Sequence, residues 1–214
     1  AVELIRAGVS QLLAGKLRSD VRLEVLEAAE QSGDSEVKRK LAEYLQSRQT
    51  SLEPGVLYAE SLQGGDIESG RKIFYERTQV SCVRCHQVGG RGGDVGPILS
   101  AIGKGKDRTY LLESIVAPNK AMAKGFQSLV IADVNGRVHS GTVREESEDA
   151  YVLVDVEGVR RRILKDDVDE VNTGKSPMPE DLIKLLSRRD LRDLVAFLAS
   201  LRTEEKPPSV EDLK

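Results

Sequence analysis

The segment Cys82-Val83-Arg84-Cys85-His86, with Gly89-Gly90-Arg91-Gly92-Gly93-Asp94-Val95-Gly96-Pro97-Ile98-Leu99 close behind it, decides how this chain reads. The only two cysteines of the chain both lie in that pentapeptide. Cys-x-x-Cys-His is the spacing of covalent c-type haem attachment. Two thiols held on one tight helical turn match the vinyl groups along one porphyrin edge, and the adjacent imidazole then points at the iron. Two other chemistries use part of this pattern. A thioredoxin-like redox pair opens a helix just after a buried strand, whereas the run from Phe74 to Ser81 is rich in polar and charged residues. A zinc site of two cysteines and two histidines needs a second histidine at suitable spacing, and His139 is far away in a strand-like region. The motif therefore predicts one covalent haem, attached through Cys82 and Cys85, with His86 on its iron.

Upstream, Gly65-Asp66-Ile67-Glu68-Ser69-Gly70-Arg71-Lys72-Ile73-Phe74-Tyr75 reads as a helix. Asp66 can cap it, and Ile67, Gly70, Ile73 and Phe74 fall on one stripe. A residue as small as Gly70 permits a close helix crossing. Downstream, the glycines are expected to let the backbone approach a flat ligand without a Cβ clash. The whole chain agrees with this frame. Of its 214 residues 39% are hydrophobic and 31% charged, as in an ordinary globular protein. Aromatic residues are only 4% and Trp is absent, so a flat apolar cofactor could complete the core. A net charge of −3 without a dominant basic face excludes a nucleic-acid footprint. No run of eighteen apolar residues predicts a membrane span, and no signal peptide is recognised at the start.

Residues 65 to 125 together with 174 to 203 resemble a class I, mitochondrial-type cytochrome c. The helix before the motif, the motif itself, the Gly-Pro-x-Leu stretch and the last helix carry the likeness. The resemblance implies that the Pro97 carbonyl accepts the Nδ1–H of His86, fixing the ring tautomer. It implies that Leu99 packs against the haem. It also implies that the Gly70 and Phe74 face crosses the last helix near Leu194, Phe197 and Leu198.

Three residues are candidates for the second axial position: Met178, Met122 and His139. Met178 stands in Ser176-Pro177-Met178-Pro179-Glu180, where flanking prolines stiffen an extended loop. Cytochromes of this class carry a ligand methionine shortly before the final helix, and Met178 matches that place. It lies 92 residues after His86, farther than in a minimal cytochrome, and this distance keeps Met122 open as a rival. Met122, in Asn119-Lys120-Ala121-Met122-Ala123-Lys124-Gly125, also reads as packing near a domain junction. His139 reads as a surface residue after a hairpin turn. A thioether raises the reduction potential relative to a second imidazole.

An insertion explains the distance. Gln127 to Val134, Arg137 to Glu145, Asp149 to Val156, Val159 to Leu164 and Val168 to Val171 read as strands, with turn signals at Asn135-Gly136 and Glu157-Gly158. They follow a haem-packing helix expected over Asp107 to Val116. No acid constellation or metal spacing marks the insertion. Arg160-Arg161-Arg162 reads as a solvated strand, and the whole insertion as a scaffold or docking surface. The run from Asp133 to Gly141 and the later Ser-Pro-Met-Pro resemble the C-terminal haem-binding domain of large, predicted membrane-associated dehydrogenases from planctomycetes and their relatives. Those proteins place a sugar-dehydrogenase-like propeller and helical repeats before the cytochrome. The resemblance covers roughly residues 65 to 203.

Before it, Val2 to Leu13, Asp20 to Gln31 and a run capped by Asp34 or Ser35 and ending at Gln46 read as helices. They look like the end of a helical-repeat array. Val56, Leu57, Tyr58 and Leu62 are expected to form a short linking helix. The predicted fold is thus mostly α, a class I cytochrome c fold interrupted by a small antiparallel sheet or five-stranded barrel. Its segments are a helical region 1–62, a first cytochrome part 63–125, the β insertion 126–173, a Met-ligand loop and last helix 174–203, and a polar tail 204–214. The expected role is one-electron transfer by a haem c iron with His86 and Met178 as axial ligands. The cofactor contacts are Cys82, Cys85, His86, Met178, Pro97 and Leu99. No catalytic residue is expected in this chain alone. A dehydrogenase domain is the expected donor and a cytochrome or oxidase the acceptor, on the periplasmic or exported side of a bacterial membrane. The alternative is a ligand-binding or sensor haem with an open or displaceable sixth position.

Overall fold

Three helices open the chain: α1 (Val2–Leu13), α2 (Arg22–Gln31) and α3 (Ser35–Gln49). This computed structural model describes residues 1–49, 53–123 and 125–203, so the expected polar tail lies outside the described residues. Each of the three helices touches the other two. Val9, Leu12, Leu26, Val37 and Leu41 form their shared core. Asp34 accepts the Val37 N–H at 3.0 Å and so caps α3, as its position in the sequence suggests. The linking segment is a 3-10 helix over Pro54–Leu62, kinked at Tyr58.

The second unit begins with α4 (Ile67–Glu76), whose cap Asp66 accepts from the Ser69 N–H at 2.6 Å. One-turn helix α5 (Cys82–Cys85) follows. A two-stranded ribbon comes next, β1 (Gln87–Val88) with β2 (Arg91–Gly92). One-turn helix α6 (Ile102–Gly105) and then α7 (Arg108–Val116) complete this stretch. The chain returns to this unit only at its end, with α8 (Arg188–Ser200), which a capping box of Ser187 and Asp190 starts.

α4 and α8 cross at close range because Gly70 has no side chain. A Cβ there would stand 2.0 Å from the Asp193 carbonyl oxygen and 2.8 Å from Phe197 Cβ. Phe74 and Phe197 meet at the crossing with ring centroids 5.6 Å apart. Phe74 is 1% exposed, and its burial stabilises the fold by roughly 1.5–3 kcal/mol. Leu112 and Ile115 of α7 join the same core, as do Leu191, Leu194 and Val195 of α8. Ile67, which shares the helical stripe, is instead 48% exposed. It sits at the first turn, before the crossing.

Between α7 and α8 the chain builds β3 (Ser128–Asp133), β4 (Val138–Glu146), β5 (Ala150–Val154), β6 (Arg160–Leu164) and β7 (Val168–Thr173). They form one antiparallel sheet in the order β6-β5-β4-β3-β7. Of the sheet and barrel alternatives the sheet is the one formed, since no pairing joins β6 to β7 among the described residues. A three-residue turn, Lys165–Asp167, nevertheless links these two edge strands, so the sheet must curl. A register shift in β4 between Val143 and Glu145 aids the bend. Ile131, Leu153 and Ile163 form the small core inside it. Among the described residues no helix is long and apolar enough to cross a membrane.

Candidate functional site

Ser81 introduces the motif in an unusual conformation. Its φ of 47° makes it the one non-glycine residue in the left-handed region among those described. The chain turns sharply there, and Cys82 to Cys85 then form one helical turn closed by the His86 N–H on the Cys82 carbonyl at 2.9 Å. That turn places both sulfurs on one short segment with the imidazole directly after them. Both cysteines are half-buried and free of disulfide bonding. Burial pushes the Cys82 thiol up to about 11, and it raises Cys85 as well against the opposing charge of Arg84. A thioredoxin-type nucleophile is shifted in the opposite direction.

The loop after the motif wraps its backbone. The Gly93 N–H donates to the Val83 carbonyl at 2.9 Å, that of Gly96 to Cys85 at 2.8 Å, and that of Leu99 to Gln87 at 2.8 Å. Gly93 is required for this wrap, since a Cβ would fall 1.9 Å from the Arg84 oxygen. At Gly96 a Cβ would stand 2.6 Å from Cε1 of the His86 ring. These glycines thus permit close approach to the motif itself.

The loop delivers the Pro97 carbonyl to His86 Nδ1 at 2.9 Å. A carbonyl can only accept, so Nδ1 carries the proton and the Nε2 lone pair is left to bind elsewhere. Burial holds the ring pKa below its usual value, with the bond to Pro97 acting against that shift. The bond to Pro97 fixes the tautomer of His86 and burial disfavours its charged form, both of which suit a metal ligand.

Cys82, Val83, Leu99 and Met178 are partly buried and pack against one apolar core, that of α4, α7 and α8. Residues 96 apart in sequence thus share one core. Met122 is half-buried outside that cluster. His139 lies on β4, where its Nε2 meets the Asp133 carboxylate at 3.1 Å. Among the described residues no group of three or more His, Cys, Asp or Glu side chains is placed to hold a metal ion.

Asn119 belongs to no chemical motif of the sequence, yet it bonds both flanks of the Met178 loop. Its partners lie beyond the insertion, at a spacing no local pattern reveals. No family model matches the chain, and no curated protein is similar to it at a significant level.

Proposed function

We propose that this chain is a one-electron carrier holding a single haem, attached through Cys82 and Cys85 and bound axially by His86 and Met178. The observation that carries this reading is the Pro97 bond to His86 Nδ1, which leaves Nε2 as the ligating atom beside two free thiols. The residues present fit a haem. The thiols are unpaired and only half-buried, and Cys82, Leu99 and Met178 pack against one apolar cluster, which gives a haem apolar surroundings. When bound, the haem supplies a one-electron ferrous–ferric couple. The protein's own work is to hold. Cys82 and Cys85 fix the ring edge, Pro97 orients His86, Leu99 supplies apolar cover, and Met178 offers a soft thioether that favours the reduced iron.

We place the chain with class I cytochromes c and, by its insertion, with the haem-binding domains of dehydrogenases from planctomycetes and their relatives. That placement makes a dehydrogenase domain the electron donor and a cytochrome or oxidase the acceptor. It also locates haem attachment on the exported side of a bacterial membrane. The chain itself performs no substrate chemistry in this reading.

Optical spectra of the full chain purified with haem test the proposal. A haemochrome with both vinyl groups saturated is expected, together with a near-infrared methionine–iron band in the ferric protein. M178A should lose that band, lower the potential and admit carbon monoxide rapidly. Persistence of the band in M178A would reject Met178. Rapid carbon monoxide binding to the unaltered protein would favour a ligand-binding haem instead.

A further inference from the structure

The Met178 loop has few means of holding itself in place. It leaves the sheet where the Gly174 N–H donates to the Ser128 carbonyl at 2.8 Å, and it ends in the 3-10 turn Glu180–Leu185. Pro177 and Pro179 have no N–H, so Ser176 and Met178 hold the only backbone donors between Ser176 and Pro179. The Met178 N–H is satisfied within the loop, by the Ser176 hydroxyl at 3.3 Å. The Ser176 N–H goes to Asn119 Oδ1 at 2.7 Å, 57 residues away in sequence. Asn119 Nδ2 in turn donates to Glu180 Oε1 at 2.5 Å. One amide therefore bonds the loop on both sides of Met178. Its orientation is unambiguous, since a backbone N–H only donates and a carboxylate only accepts.

Asn119 is itself firmly based. It lies in the turn after α7, closed by the Lys120 N–H on the Ala117 carbonyl at 2.9 Å. Leu111, Leu112 and Ile115 anchor α7 in the core. Lys120 Nζ ties the turn to Glu113 at 3.1 Å and to Glu53 at 2.5 Å. Asn119 thus spans the base of the insertion, joining the point where the chain leaves the helical unit to the point where it returns.

We propose that Asn119 is a positioning residue that sets how firmly Met178 is held on the iron; this rests on Met178 being the axial ligand. The insertion can then move without loosening the ligand, because the loop is tied to α7 and not only to β7. Loss of two hydrogen bonds should make the sixth position easier to displace by about tenfold.

The test uses the haem-loaded full chain and compares wild type, M178A, N119A, N119D and the double variant N119D/E180Q. Three quantities are read: the near-infrared methionine–iron band, the affinity for added imidazole, and hydrogen exchange of the Ser176 amide. N119A should weaken the band, bind imidazole about tenfold more tightly, and expose the Ser176 amide. N119D keeps an acceptor for Ser176 but sets a carboxylate against Glu180, so it should loosen the ligand too. N119D/E180Q restores a donor–acceptor pair and should return imidazole affinity toward wild type. This pair carries the comparison even if N119A does not fold. An unchanged band and affinity in N119A, with the band lost in M178A, overturns the role of Asn119 alone. A band that survives in M178A overturns the axial assignment and this role with it.

Discussion

At position 70 the packing admits a hydrogen and nothing larger. Any Cβ would meet the Asp193 carbonyl at 2.0 Å, a backbone atom that cannot turn aside as a flexible side chain would. G70A must therefore push α4 and α8 apart and unseat Phe74 from Phe197. Overpacking of this kind costs roughly 1–3 kcal/mol, and a backbone clash belongs at the upper end. Urea unfolding of G70A should show a lower midpoint with an unchanged slope. A variant as stable as wild type would mean that the two helices are free to separate. This part of the fold was legible in the sequence, because a glycine between Ile67 and Phe74 at helical spacing has an evident packing use. The bond from His86 to Pro97 was legible only through family likeness, since partners 11 apart across a short ribbon and a glycine-rich loop carry no periodic signal. Asn119 was not legible at all. Its partners are 57 and 61 residues away, and they depend on the insertion returning the chain to the place it left.

Among the elements, the insertion illustrates how far local pattern reaches. The hairpin at Asn135-Gly136 forms as expected, with Gly136 at φ 77° and Asp133 accepting from the N–H groups of Asn135 and Arg137 at 2.9 Å each. The five strands were visible from their β-branched runs and turn residues. Their order was not, because pairing β7 with β3 instead of its sequence neighbour β6 is a tertiary outcome. β4 makes the corner of the sheet at Thr142, which pairs with Ser128 of β3 and with Val154 of β5. Thr142 is 1% exposed, and its hydroxyl has no partner among the described residues. A buried hydroxyl without a partner costs about 1–3 kcal/mol, and valine keeps the same branched shape. T142V should therefore raise the stability of the sheet by about 1 kcal/mol. T142S, which keeps the hydroxyl and loses the methyl group, should lower it. Thermal melts of both variants decide the matter, and a destabilised T142V would reveal a bonding role for the hydroxyl.

Over the whole molecule, the N-terminal helices meet the α4–α8 unit through charge as well as through shape. Arg188, Arg189 and Arg192 crowd the first two turns of α8, where the helix dipole disfavours cations. Their partners explain them. Arg192 reaches Glu24 of α2 at 2.6 Å, Arg189 pairs with Glu27 of the same helix, and Arg188 meets Glu60 at 3.3 Å. Glu60 is 2% exposed and also accepts from Arg48 at 2.7 Å and from the Tyr44 hydroxyl, both on α3. A buried carboxylate is sustainable only with such partners. Burial first, and the neighbouring Glu60 second, push the Tyr44 phenol up to about 12. The sign of the linkage follows. The phenol is neutral in the fold and titrates near 10 when unfolded, so its contribution is complete below about pH 10 and is lost as pH rises toward 12. Solvent screens part of a shift this size, leaving roughly 1–2 kcal/mol of alkaline destabilisation. Y44F removes the titration. Its unfolding free energy should fall less than that of wild type between pH 9.5 and 11.5, a window chosen about the unfolded phenol value. Parallel slopes for the two proteins across that window would mean that Tyr44 does not couple the helices to the buried Glu60 charge.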